Sequence, residues 1–318
     1  MRTINYEVKR SIRGAFGEEL ARLGERNQDI VALDADLSGS TQTSVFAKKF
    51  PERFFDVGIA EQDLMTTALG LSLEGKIPFA ATFAVFATGR AYDQIRNSIC
   101  YQKANVKIIG AHGGITVGED GASHQALEDV SLMRGLPNMT VICPGDYNQT
   151  CEAIRFAASY NGPVYVRLSR MNVPDVYSEN EKLDINKAIV LKEGKDISIF
   201  VTGDLLAEVI KANEILEKQG IDAEIINIPV IKPLDCETII NSVNKTGIAV
   251  TVEDHSILGG LGSAVCETLS EKAPHKVLRI GINDSFGQSG TPNELLKHYG
   301  LNAESIAKKV IELKKWYN

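Results

Sequence analysis

The run Phe54-Phe55-Asp56-Val57-Gly58-Ile59-Ala60-Glu61-Gln62 sets a carboxylate where an apolar, strand-like stretch gives way to a helix. Leu64, Ala68 and Leu71 recur behind it at helical spacing, on one face. An acid at such a helix start can be no more than a solvated charge favoured by the dipole. Glu61 is flanked by small and apolar residues, however, so it can equally be drawn out of water, where the neutral carboxyl is favoured. In that state it can share a proton with a heterocyclic nitrogen. Further along, His124 follows Asp120 across a glycine-containing loop, so both can face one cleft. Taken alone, each would more often be a surface or core-satisfied polar group.

Three other arrangements lead nowhere. Gly70 to Ile77 nearly spells a P-loop, but Ile77 stands where a hydroxyl must hold magnesium, and a helix precedes it; the expectation is a helix ending in a glycine cap. Gly259-Gly260-Leu261-Gly262 opens a helix after a strand but lacks the third glycine of a dinucleotide loop, so a packing turn is expected. The histidines 112, 124, 255, 275 and 298 show no paired-ligand spacing, so no metal cage is expected from this chain alone.

The elements that must carry these groups alternate. Short apolar runs at 30–33, 106–110, 140–143 and 163–168 are separated by helical periods such as 11–27 and 148–159. The pattern repeats with runs at 197–201, 223–228, 248–252 and 276–280 and helices at 205–219, 236–243 and 262–272. Continuous apolar strands between helices imply parallel sheets covered on both faces. The polar, aperiodic stretch 171–190 predicts a boundary: one α/β domain over 1–175, a linker over 176–190 and a second α/β domain over 191–318. Thr291-Pro292-Asn293-Glu294 predicts a capping box.

Composition narrows the class. Lys and Arg total 34 against 41 Asp and Glu, a net charge of −7, where a nucleic-acid binder would carry a basic surplus. No apolar run approaches the roughly 18 residues needed to span a membrane. The N-terminus lacks the apolar core of a signal peptide, and the 5 cysteines form no CxxC. A cytoplasmic protein is expected, without nucleic-acid or membrane partners.

With those motifs in view, the sequence resembles the C-terminal section of transketolase. GIAEQ (58–62), TFAVF (82–86), GEDGASHQ (118–125), SLMRGLPNMTVICPGD (131–146) and LSR (168–170) stand in the family's order, with EDHSILGGLGSAV (253–265) matching more loosely. The resemblance implies a pyrimidine-binding domain followed by the family's C-terminal domain, and thiamine diphosphate as cofactor. It implies that Glu61 hydrogen-bonds the cofactor's aminopyrimidine and that Phe83 and Phe86 pack around that ring. The family often has a tyrosine where this chain has Gly89, so the stacking should differ there. His112 and Asp120 would contact sugar hydroxyls and His124 the reacting carbons. Arg13, Ser40 and Arg170 would hold a terminal phosphate, a task that suits a guanidinium fork. Asp36 in DADLSGS matches an acid near the thiazolium, reached across a subunit interface.

The family holds the cofactor diphosphate through magnesium on a Gly-Asp-Gly motif with a downstream Asn. Here Gly145-Asp146-Tyr147 and Gly203-Asp204-Leu205 both fail at the third position. The expectation is therefore one subunit of a split transketolase. A transketolase N-terminal-section subunit would supply the Mg2+ (or Ca2+) site, in an assembly of two copies of each chain. The implied reaction moves a two-carbon ketol unit from a ketose phosphate to an aldose. The alternatives are a 2-oxoacid dehydrogenase beta subunit, a deoxyxylulose-phosphate synthase relative and a non-catalytic regulatory paralogue. The expected role of residues 190–318 is assembly.

Overall fold

The computed structural model describes residues 4–179 and 181–315. A two-stranded ribbon joins β1 (Lys9–Ser11) to β8 (Asn172–Pro174). The first large sheet holds β2 (Ile30–Asp34), β3 (Phe54–Asp56), β4 (Ile77–Phe83), β5 (Lys107–Ala111), β6 (Thr140–Ile142), β7 (Val164–Leu168) and β12 (Val230–Lys232). Its order is β12-β6-β7-β5-β4-β2-β3, with every pair parallel except β12 against β6. The second sheet holds β9 (Ile189–Lys192), β10 (Ile197–Val201), β11 (Ala223–Asn227), β13 (Ala249–Ser256) and β14 (Val277–Ile282). It runs β14-β13-β10-β11-β9, and only β9 is antiparallel. The expected α/β class, two mainly parallel sheets flanked by helices, is what forms.

Strands β2, β5 and β7 are buried at every residue because helices cover both faces. Strand alternation divides each strand's side chains between two cores. Ile30, Ala32, Phe79 and Ala81 meet Phe16, Leu20 and Ile154 of helices Ile12–Arg26 and Tyr147–Ser159. Val31, Leu33 and Ala80 meet Leu64, Met65 and Ala68 of helix Glu61–Leu73. That second core runs on without a break into Phe200, Ile226, Leu261 and Val265, so the two sheets share apolar packing.

Most expected elements form with ends shifted by a residue or two. Helix Glu61–Leu73 does end before a glycine, Gly75, at φ +82, as the P-loop look-alike was read. Strand β4 went unread because Pro78 and its alanines dilute the β signature. The Gly260 turn is a packing turn: the Glu253 carboxylate accepts from the N–H groups of Leu261 (2.7 Å) and Gly262 (2.8 Å), so the chain's own anion fills that helix start. At Thr291 the capping box forms, with Pro292 at the first helical position. Within 171–190, the N–H groups of Val176 and Tyr177 each donate to Asp146 Oδ2 at 2.8 Å. Among the described residues, no helix is long and apolar enough to cross a membrane.

Candidate functional site at the carboxyl ends of the first sheet

Parallel strands end together, and the loops beyond their carboxyl ends make the crevice in which α/β proteins bind ligands. Here β2 ends at Asp34, β3 at Asp56, β4 at Phe83, β5 at Ala111 and β7 at Leu168, so their loops carry Asp36, Glu61, Phe86, His112 and Arg170. Two buried or bridging carboxylates fix the first two loops. Asp34 accepts from the Leu37 N–H (2.5 Å) and from the hydroxyls of Thr41 (2.6 Å) and Thr43 (2.8 Å). Asp56 Oδ1 accepts from the N–H groups of Asp36 (3.1 Å) and Gly58 (2.9 Å).

Glu61 is the first residue of its helix and only 3% exposed. It is buried but not alone, since Arg90 Nη1 donates to its Oε1 at 2.8 Å. Arg90 closes the π-helical turn Phe86–Arg90, and its guanidinium lies 4.6 Å from the centre of the Phe86 ring. Such wide turns recur at functional sites because they re-aim a side chain without ending the helix. A cleft of about 470 Å³ opens beside this pair, lined by Ile59, Glu61, Gln62 and Arg90. A Cβ at Gly89 would meet nothing within 4 Å, so the space there is open, and the Arg90 guanidinium lies against Phe86.

The aromatic groups continue from there. Phe83 and Phe86 stack at 5.9 Å with planes 16° apart. The His112 ring lies 3.9 Å from Phe83, and His124 stands edge-on to Phe86 at 5.4 Å. Glu61, Arg90, Phe86, Phe83, His112 and His124 thus form one contiguous group. Arg13 and Arg170 line a neighbouring pocket of about 360 Å³ with Thr116, Asn172 and Pro292. Arg13 donates to the Ser40 carbonyl, and its Nε is buried without a partner among the described residues. Arg170 donates to the Val117 carbonyl and faces Glu119 (3.3 Å) and Asp120 (3.6 Å). Asp36 stands exposed on the loop after β2, at φ +61. Sequence reasoning missed Arg90; its spacing of four residues from Phe86 was the available signal.

His112 is 3% exposed, sits at φ +60 and has a buried Nδ1 without a hydrogen-bond partner among the described residues. Burial, and then the charges of Arg13, Arg170 and His124, push its pKa from 6.5 down to about 3. The ring is therefore neutral at pH 7 and can offer a hydroxyl one donor and one acceptor. Between pH 6.5 and 3 the unfolded chain takes up a proton at this residue and the folded chain does not, so stability falls as pH falls. The loss comes to about 2 kcal/mol at pH 5. Denaturant unfolding at pH 7 and pH 5 is expected to show a smaller acid loss for His112→Asn than for the native chain. Equal losses in the two proteins would contradict this assignment.

Residues 8–176 match the family described as "Transketolase, pyrimidine binding domain", and residues 186–306 match "Transketolase, C-terminal domain". The chain belongs to the transketolase family. A Methanocaldococcus jannaschii protein named as a transketolase C-terminal section is 52% identical over 308 residues, spanning 96% of both chains. The 6-deoxy-6-sulfo-D-fructose transketolase subunit SqwH of Clostridium sp. (strain MSTE9) is 40% identical over 97% of both chains. A solved structure described as "Split gene transketolase, inactive beta4 tetramer" superposes with a TM-score of 0.89 at 52% identity, covering 95% of this chain and 97% of that one. Transketolase from Campylobacter jejuni, at 23% identity and a TM-score of 0.80, shares the fold over 96% of this chain and 47% of its own.

The family implies thiamine diphosphate, and the strand-end group fits its aminopyrimidine half. The stacked Phe83–Phe86 pair offers flat apolar surface and Glu61 a buried carboxylate.

Proposed function

We propose that this chain is one subunit of a thiamine diphosphate-dependent transketolase that moves a two-carbon ketol unit from a ketose phosphate to an aldose. The observation that carries the reading is the buried Glu61 carboxylate joined through Arg90 to the Phe83–Phe86 stack and both histidines, beside a pocket with two arginines. Glu61 would hydrogen-bond the aminopyrimidine, with Phe83 and Phe86 packed around that ring and Asp36 near the thiazolium. When bound, that cofactor supplies the carbanion chemistry of the transfer. Neutral His112 would orient a sugar hydroxyl, His124 would hold a proton near the reacting carbons, and Asp120 would accept from a further hydroxyl. Arg13 and Arg170, with Ser40, would grip the anionic end of the sugar through charge-assisted hydrogen bonds. Relatives named as transketolase subunits support a second chain, which would hold the diphosphate and its Mg2+ in an assembly of two copies of each.

The test is reconstitution. This chain is mixed with a chain carrying Gly-Asp-Gly and a downstream Asn, plus thiamine diphosphate and Mg2+, and ketol transfer from a five-carbon ketose phosphate is followed. Turnover is expected only when both chains are present. Oxidation of a 2-oxoacid in place of ketol transfer, or no turnover with any such partner, would overturn the reading.

A further inference from the structure

Two buried carboxylates of the C-terminal half reach the substrate-facing loops. Asp254, at the end of β13, accepts from the N–H groups of Ile115 (2.9 Å) and Thr116 (3.2 Å). Asp204, just after β10, accepts from the hydroxyls of Thr116 (2.8 Å) and Ser169 (2.6 Å). The Thr116 hydroxyl also lies 3.1 Å from Asp254, so it bridges both acids. Asp204 belongs to the Gly203-Asp204-Leu205 run that fails as a diphosphate motif, and Asp254 to the loosely matching 253–265 stretch. Neither carboxylate has a place in the proposed chemistry.

What they hold is specific. Ile115 and Thr116 follow His112 by three and four residues, the Val117 carbonyl receives Arg170, and Ser169 precedes Arg170. Gly114 is built for the contact: at φ +84, a Cβ there would fall 2.0 Å from Asp254 Oδ2. The far end of the loop is tied to the same half, because Gln125 Nε2 donates to the Gln288 carbonyl at 3.0 Å. A Cβ on Gly121 would in turn meet Ser289 Oγ at 2.6 Å.

We propose that Asp204 and Asp254 are positioning residues, through which the C-terminal domain clamps the loop after β5 and the end of β7 and so sets His112 and Arg170 for the substrate. This deepens the site reading above and rests on it for the substrate. It replaces pure assembly as the role of residues 190–318. The logic is preorganisation: loops give poor geometry unless buried hydrogen bonds lock them. Carboxylates buried against N–H and O–H donors lock strongly, because any donor they release loses its partner out of water.

The experiment uses the whole chain and then the two-chain enzyme. Hydrogen exchange is compared for native protein, Asp254→Asn and Thr116→Val, the last removing only the bridging hydroxyl should Asp254→Asn fail to fold. Glu253→Gln is the control, since Glu253 caps helix Leu261–Lys272 and not the loop. Amides of residues 113–118 are expected to exchange about tenfold faster in the first two variants, with helix 261–272 unchanged, and the reverse in the control. In the reconstituted enzyme Asp254→Asn should raise KM about tenfold for a phosphorylated ketose, with kcat within about twofold, and raise it less for a ketose lacking phosphate, which loses only the His112 contact. Unchanged loop exchange in both variants overturns the clamp. Faster exchange with unaltered KM overturns its link to substrate. Failure of the native two-chain enzyme to turn over would count against the functional reading, while the exchange result would still decide the clamp.

Discussion

In the proposed two-chain enzyme, Glu61→Gln is expected to cut ketol transfer by ~10²–10⁴-fold, the usual worth of a positioned acid–base group. Glutamine keeps the volume and the hydrogen-bonding length but cannot exchange a proton. The same change should leave the unfolding temperature of the chain nearly unmoved. The pair with Arg90 is half-open to solvent on the arginine side, where such pairs contribute about 0–1 kcal/mol. Neutralising a carboxyl that is 3% exposed works the other way, because its desolvation cost disappears. Activity and thermal unfolding measured on one preparation separate the two effects. A large fall in unfolding temperature would assign Glu61 to the fold, and retained turnover would remove it from the chemistry.

Arg167→Met is expected to have the largest effect on stability, about 3–5 kcal/mol, because it strands a buried charge. Arg167 is 7% exposed; its Nε donates to Asp129 at 2.8 Å, and its Nη2 donates to the carbonyls of Ala126 (3.1 Å) and Asp254 (2.9 Å). Burial is the largest single influence and pushes the Asp129 carboxyl up, but the charges of Arg167 and His255 and the hydrogen bonds from Arg167 and Tyr165 together outweigh it, so the result lies below the ordinary value. A depressed carboxylate stabilises the fold above its unfolded pKa, and that contribution is lost as pH falls through the folded one. Native protein and variant should therefore differ most near neutrality and converge in acid. Chemical denaturation across that range is the measurement. Adding Asp129→Leu to the variant should recover part of the loss, since it removes the stranded charge and leaves only the neutral Tyr165 hydroxyl without its acceptor. If the double variant were no more stable than the single one, the lost packing of Arg167, not the orphaned charge, would be the cause.

Legibility followed the range of the interaction. Helix 61–73 could be read because Leu64 and Ala68 lie one turn apart and bury together. The capping box at Thr291 could be read because its partners are three residues apart. Strand β4 could not: its proline and alanines give a weak local signal, and it is defined by pairing with β2 on one edge and β5 on the other, both distant in sequence. Arg90 could be numbered but not assigned, because nothing near it in sequence says that Glu61, 29 positions away, will be its partner.

By itself, the sequence determined the layering, since a strand covered on both faces must be apolar throughout and must return through a helix. It also determined the family, through motifs in register, and the residue types available at each strand end. Tertiary structure alone decided which of them meet. The order β12-β6-β7-β5-β4-β2-β3, including a strand lent by the second half, sets which loops become neighbours. It carries Thr116 between Asp204 and Asp254, 88 and 138 residues away. Strand order comes from burial summed over whole sheets, and no local pattern records that sum.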